Sequence, residues 1–215
     1  MLRTVAALIQ SGLDIILPRK ERVVRIDSYR AEDIPVSPAE HEACGVRITT
    51  LMQYREEAVA DCIKALKYDR AGIAAALLAD ALAEYLREEI VNMQQFSTKP
   101  VVLAPVPLHA SRERERGFNQ VASILDALPR EFKDGTLSRV EPHALARVRA
   151  TPQQTRLSRS ERLQNVANAF AAEGGALRGC HIILVDDVTT TGATLAAAAQ
   201  PLAGESVTLL ALAHA

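Results

Sequence analysis

Tryptophan is absent, and aromatic residues are few: four phenylalanines and four tyrosines in 215 residues. That leaves sparse material for the stacking platforms on which proteins hold single-stranded nucleic acid. Three cysteines, Cys44, Cys62 and Cys180, stand far apart without CxxC spacing. This argues against a disulfide framework or a cysteine-rich zinc site and fits reduced thiols in a cytoplasmic protein. Neither sign of charge dominates, with 25 Lys and Arg against 26 Asp and Glu and a net charge of −1. No global pull toward nucleic acid or membrane follows, although basic residues can cluster locally. Long hydrophobic runs are missing too. At the start Leu2, Val5, Ala6, Ile9, Leu13, Ile16 and Leu17 fall at helical spacing, but Gln10, Ser11 and Asp14 interrupt them. The segment is therefore neither a transmembrane span nor a good signal peptide, and no membrane insertion is expected.

What the chain does contain is concentrated in residues 181–195, HIILVDDVTTTGATL. Ile182, Ile183, Leu184 and Val185 form a short apolar run of the kind buried on both faces of a parallel sheet. The run ends on two adjacent carboxylates, Asp186 and Asp187. Then come Val188, Thr189, Thr190, Thr191, Gly192, Ala193 and Thr194, and an alanine-rich helical pattern. A loop feeding a helix offers unpaired backbone amides and the positive end of the helix dipole. Small residues let a phosphate approach the backbone, and threonine hydroxyls add donors. The dipole contributes about 0.3–1 kcal/mol, whereas each hydrogen bond to a charged group contributes about 1.5–3 kcal/mol, so the hydrogen bonds dominate. An acidic pair beside a phosphate loop repels phosphate alone. It suits a ligand that also presents hydroxyls, or one that carries Mg²⁺. A sugar phosphate with a free diol meets both requirements. Neither a Walker A loop nor a G-x-G-x-x-G fingerprint is present.

Two further blocks carry chemistry. In residues 101–120, VVLAPVPLHASRERERGFNQ, an apolar strand ends at the rigid Pro105 and Pro107 turn. Pro107, Leu108, His109, Arg112 and Arg116 follow, and a turn beside basic residues suits pyrophosphate. The alternating RERER run also reads as a solvated, self-neutralising segment, which is the preferred reading for Arg114. His109 is the histidine placed nearest this turn, as a base or as a plain turn residue. In residues 147–170, Arg149, Arg156, Arg159 and Arg162 sit among Thr, Gln and Ser. Such a composition fits a loop closing over an anion, although most loops of this kind are simply exposed.

The pattern predicts an α/β fold, a central parallel sheet flanked by helices. Core strands are expected at residues 101–103, 182–185 and 207–212, with a ligand at their carboxyl ends. Residues 46–54 read as a strand, 56–66 and 73–91 as helices, and 92–99 as a polar connection. Residues 23–26, Val-Val-Arg-Ile, look strand-like within an irregular arm over 19–45. The chain divides into an N-terminal extension, residues 1–54, and a second domain, residues 55–215.

VDDVTTTGAT resembles the phosphoribosyl pyrophosphate (PRPP) motif of type I phosphoribosyltransferases. Together with Arg112, Arg116, Gly117, Phe118, Asn119 and Gln120, with Thr151, Gln154, Leu157, Arg162, Asn165 and Phe170, and with Lys67-Tyr68 at a helix end, it resembles the ComF family. That family is linked to DNA uptake in competent bacteria. The resemblance implies a type I phosphoribosyltransferase-like sheet. It implies Asp186 and Asp187 as catalytic carboxylates on the ribose hydroxyls, and residues 189–194 around the 5′-phosphate. It also implies Mg²⁺ carried by the ligand and phosphoribosyl transfer to an acceptor the sequence does not identify. The usual N-terminal zinc finger is not matched, since His41 and Cys44 cannot supply four ligands, and no structural zinc is expected. The competing expectation is a non-catalytic module of DNA uptake, sensing nucleotides or binding single-stranded DNA through its arginines. Oligomeric state is not legible.

Overall fold

The computed structural model describes residues 21–108, 113, 114, 116–148, 169–173, 175 and 177–215. The amphipathic start and the candidates His109, Arg112, Arg149, Arg156, Arg159 and Arg162 lie outside the described residues.

In chain order the elements are helix α1 (Glu21–Ile26), strands β1 (Ala39–Ala43) and β2 (Val46–Gln53), helices α2 (Glu57–Asp69) and α3 (Gly72–Phe96), and strand β3 (Val101–Pro105). Helix α4 (Gln120–Ala127), short strands β4 (Arg139–Val140), β5 (Leu145–Arg147) and β6 (Phe170–Ala172), strand β7 (His181–Thr189), helix α5 (Ala193–Ala199) and strand β8 (Ser206–His214) complete the set. Six strands make one sheet in the order β1-β2-β8-β7-β3-β4. Only the β1–β2 pairing in it is antiparallel; every other neighbour is parallel. Strands β5 and β6 form a separate antiparallel pair. The protein is thus α/β with a mostly parallel central sheet flanked by helices. Strands β1 and β2, from the N-terminal extension, supply one side of that sheet.

Alternation along the strands divides the core in two. Leu103, Ile183, Val185, Leu210 and Leu212 pack with α2, α3 and α4. Val102, Ala104, Ile182, Leu184 and Ala211 pack with α5 and the β5–β6 pair. With both faces covered, a central strand has no wet side, which is why β7 reads as an unbroken apolar run.

Two expectations are corrected. Residues 23–26 are helical, part of α1. Arg25 of this helix donates from Nε and Nη2 to Asp61 at 2.7 and 2.9 Å, and Arg22 donates to Asp69 at 2.6 Å. Ile26 is fully buried. Tertiary contacts to α2 override the strand preference of Val23, Val24 and Ile26. Helix α3 also runs to Phe96, beyond residue 91. Gln94 and Gln95 in its last turn are exposed, and glutamine is a good helix former when no packing is required.

Candidate functional site

Strand β7 carries the acidic pair to the carboxyl edge of the sheet, beyond its last fully buried residue, Val185. The Asp187 amide donates to Asp186 Oδ1 at 2.9 Å, and the Val188 amide donates to Asp187 Oδ1 at 2.6 Å. These local bonds fix both carboxylates at the strand end. Asp187 Oδ2 pairs with Lys67 Nζ at 2.7 Å, the two side chains being 17% and 20% exposed. Asp186 is held far above the ordinary carboxylate range, at about 7. Burial is the main cause and the Asp187 charge the second, with the hydrogen bond from the Asp187 amide, and then Lys67 and Arg147, only partly offsetting them.

The loop after the pair is tied from two sides. Thr189 Oγ1 accepts from the Gly192 amide at 3.2 Å, closing the turn. Cys44, in the β1–β2 turn, donates from Sγ to the Thr191 carbonyl at 3.2 Å. Gly192 adopts φ +72°, and a Cβ there would meet Ile48 Cδ1 at 2.5 Å and Ala43 Cβ at 2.8 Å. Glycine is needed on both counts. Thr190 is exposed, Thr191 and Thr194 are half-buried, and Ala193 is buried as α5 begins.

Strand β3 lies beside β7, and the Val106 amide donates to the Val185 carbonyl at 2.8 Å. Asn119 Nδ2 donates to the Val106 carbonyl at 3.0 Å while its Oδ1 accepts from the Val121 and Ala122 amides, capping α4. The GFNQ turn is thereby one hydrogen-bond chain away from the residue before Asp186. Pro107 and Leu108 line a cavity of about 290 Å³ with Asn119, His143, Arg147 and Glu173. Arg116 contributes its carbonyl, which accepts from Arg70 Nη2 at 2.6 Å. Gln120 is 1% exposed, and neither atom of its amide has a partner among the described residues.

Asp186, Asp187 and residues 189–194 are therefore contiguous, and Pro107, Leu108 and Arg116 belong to the neighbouring turns. In the sequence Lys67 is marked only by a family resemblance, and Arg147 only as the first residue of a basic block. Lys67 falls at the end of an amphipathic helix, where a cation is favoured by the dipole in any case, so the pattern does not mark it. Arg147 ends β5 with its guanidinium 5.3 Å from the Phe170 ring centre. A three-residue strand leaves no period to read.

The fold and this edge define an α/β protein with an acidic pair and a small-residue loop at the carboxyl ends of parallel strands. No family model matches the chain. The chain is nonetheless similar to curated proteins named for DNA utilization and competence. It is 35% identical to the DNA utilization protein YhgH of Escherichia coli (strain K12) over 158 residues, 73% of this chain and 65% of that protein. It is 36% identical to the competence protein ComFC of Bacillus subtilis over 107 residues, 50% of this chain and 40% of that one. Competence protein F of Haemophilus influenzae is 37% identical over 98 residues, 45% of this chain and 41% of the relative. The chain spans 54% of the YhgH protein of Salmonella typhi, so it matches only part of its relatives' length. Among the described residues no helix is long and apolar enough to cross a membrane.

Proposed function

We propose that the chain binds PRPP, or a closely related phosphoribosyl ligand, and transfers its phosphoribosyl group to an acceptor. The observation that carries the reading is the unfinished acidic pair. Asp186 is kept high by burial and by Asp187, immediately before a glycine-turned loop of small hydroxyl residues. Ribose hydroxyls would donate to the two carboxylates, and the 5′-phosphate would take the amides and hydroxyls of residues 189–194. Several such bonds at about 1.5–3 kcal/mol each are enough for a micromolar affinity.

A magnesium ion fits this donor set, since it commonly binds through one or two carboxylates together with substrate phosphates, here Asp186 and Asp187. Bound there it would neutralise charge on the pyrophosphate leaving group. The chain's own residues would hold the ribose with C1 open to the acceptor and favour the cationic character developing at the ring. Catalysis of this kind is positioning and charge stabilisation.

A second reading is single-stranded DNA binding, in line with relatives named for DNA utilization and competence. Tyr68 is 63% exposed and lies beside the guanidinium of Arg22, next in sequence to Lys67. One exposed ring among cations is the minimum for stacking a base while phosphates are neutralised. Such binding would weaken steeply with salt.

Calorimetric titration separates the two. The first reading expects Mg²⁺-dependent, micromolar binding of PRPP that Asp186→Asn/Asp187→Asn loses. If PRPP does not bind while an oligodeoxythymidine binds with a steep salt slope, the second reading replaces it.

A further inference from the structure

We infer that Lys67 is a ligand-binding residue of this site, one that exchanges Asp187 for the pyrophosphate end of the ligand when ribose hydroxyls take the carboxylate. The inference rests on the PRPP reading and adds a residue, and a charge preference, to it.

The last turn of α2 sits between the two halves of the site and is fastened to both. On one side Lys67 Nζ reaches Asp187 Oδ2 at 2.7 Å. On the other, Arg70 caps the helix in the left-handed region and donates to the Arg116 carbonyl at 2.6 Å. The Arg70 guanidinium also lies 5.6 Å from the centre of the Phe118 ring. Gly117 makes this approach possible, because a Cβ there would stand 2.5 Å from Arg70 Nη2. The turn beyond Gly117 is bonded through Asn119 to Val106, at the end of β3 where the pyrophosphate is expected. Lys67 thus projects from a helix end held on one side to the acidic pair and on the other to the turn after Arg116.

Its chemistry suits a change of partner. Lysine presents a compact charge on a flexible four-carbon stem, whereas arginine is a rigid fork suited to one fixed carboxylate. The same helix shows the contrast, since Asp61 is held by the fork of Arg25. Lys67 is 20% exposed, so its head can move without unpacking the core. A pyrophosphate beside two aspartates also adds negative charge where, among the described residues, Lys67 and Arg147 act on Asp186 as cations.

The test compares PRPP with ribose 5-phosphate, which shares the ribose and 5′-phosphate but lacks pyrophosphate. Both are titrated with Mg²⁺ into the native chain, Lys67→Met and Lys67→Arg, with melting curves as the folding control. The inference expects Lys67→Met to weaken PRPP about 10- to 100-fold and ribose 5-phosphate no more than about twofold. Lys67→Arg, which keeps the charge, should recover most of the PRPP affinity. Equal weakening of both ligands, or of neither, would show that Lys67 only props Asp187 and would overturn the inference. A native chain that binds neither ligand would remove the PRPP reading itself, and the inference with it. If Lys67→Met fails to fold, Lys67→Gln, which removes the charge and keeps a polar head, decides by the same ratio of PRPP to ribose 5-phosphate affinity.

Discussion

Asp61 is a buried carboxylate and Asp186 a half-buried one, and the protein treats them in opposite ways. Asp61, on α2, accepts both arms of Arg25 and the Tyr29 hydroxyl at 3.3 Å. The Arg25 hydrogen bonds, outweighing burial, hold its carboxyl below the usual range. Asp186, at the end of β7, has Asp187 beside it and its cations farther away, so burial and like charge push it up. One is a finished ion pair that pins α1 to α2. The other has no cation in direct contact among the described residues, and a carboxyl raised by burial and a like charge is the pattern by which candidate functional sites are recognised.

The widest gap between the two regions should open when both site carboxylates are removed. Asp186→Asn/Asp187→Asn is expected to lower PRPP affinity at least a hundredfold in calorimetry while the melting temperature rises. The sign follows from linkage. The Asp186 proton is held more tightly in the folded than in the unfolded chain, so stability falls as pH rises from about 4 to about 7. Asp186→Asn alone should therefore gain little at pH 4 and on the order of 1–3 kcal/mol at pH 8. A flat gain across pH would mean that Asp186 is as well satisfied as Asp61.

Gly192→Ala should damage the site from the other direction. Its left-handed φ and the contacts with Ile48 and Ala43 leave no room for a methyl group. Denaturant unfolding should show a loss of about 1–3 kcal/mol, and ligand affinity should fall with it. Arg25→Met breaks the finished pair and should lower the melting temperature at pH 7. Here the depressed carboxyl of Asp61 gives stability that is present above about pH 4 and lost as pH falls through its folded pKa. The difference between native chain and variant should accordingly shrink in acid, the reverse of Asp186→Asn. The smallest effect is expected at Gln120. Replacing its unpartnered buried amide by leucine should raise stability by about 1 kcal/mol. A loss of ligand affinity in Gln120→Leu would instead place that amide in the site.

The comparison also explains what was legible in the sequence. The acidic pair, the threonines and Gly192 are contiguous, so their placement at the end of a buried strand is legible without any long-range information. The core strands read correctly for the same reason, since a run buried on both faces is apolar throughout. Lys67, Arg70 and Arg147 were not legible as neighbours of this sheet edge. Each is an ordinary cation in its own stretch of sequence, and only the packing of α2 and β5 brings it there. Helix α1 misled for a related reason: its four-residue apolar pattern is too short to carry a period, and Arg25 reveals itself only through Asp61, 36 residues away. Asp61 and Asp186 look alike in the sequence; only the partners distinguish them.

The most direct measurement is the titration of the Asp186 carboxyl by ¹³C NMR, in the free chain and with PRPP and Mg²⁺. The free chain is predicted to titrate near 7. Hydrogen bonds from ribose hydroxyls and a nearby cation favour the ionised form, so the bound chain should titrate markedly lower. A carboxyl that titrates near 4 in both states would contradict the claim that this end of β7 is left unfinished for a ligand.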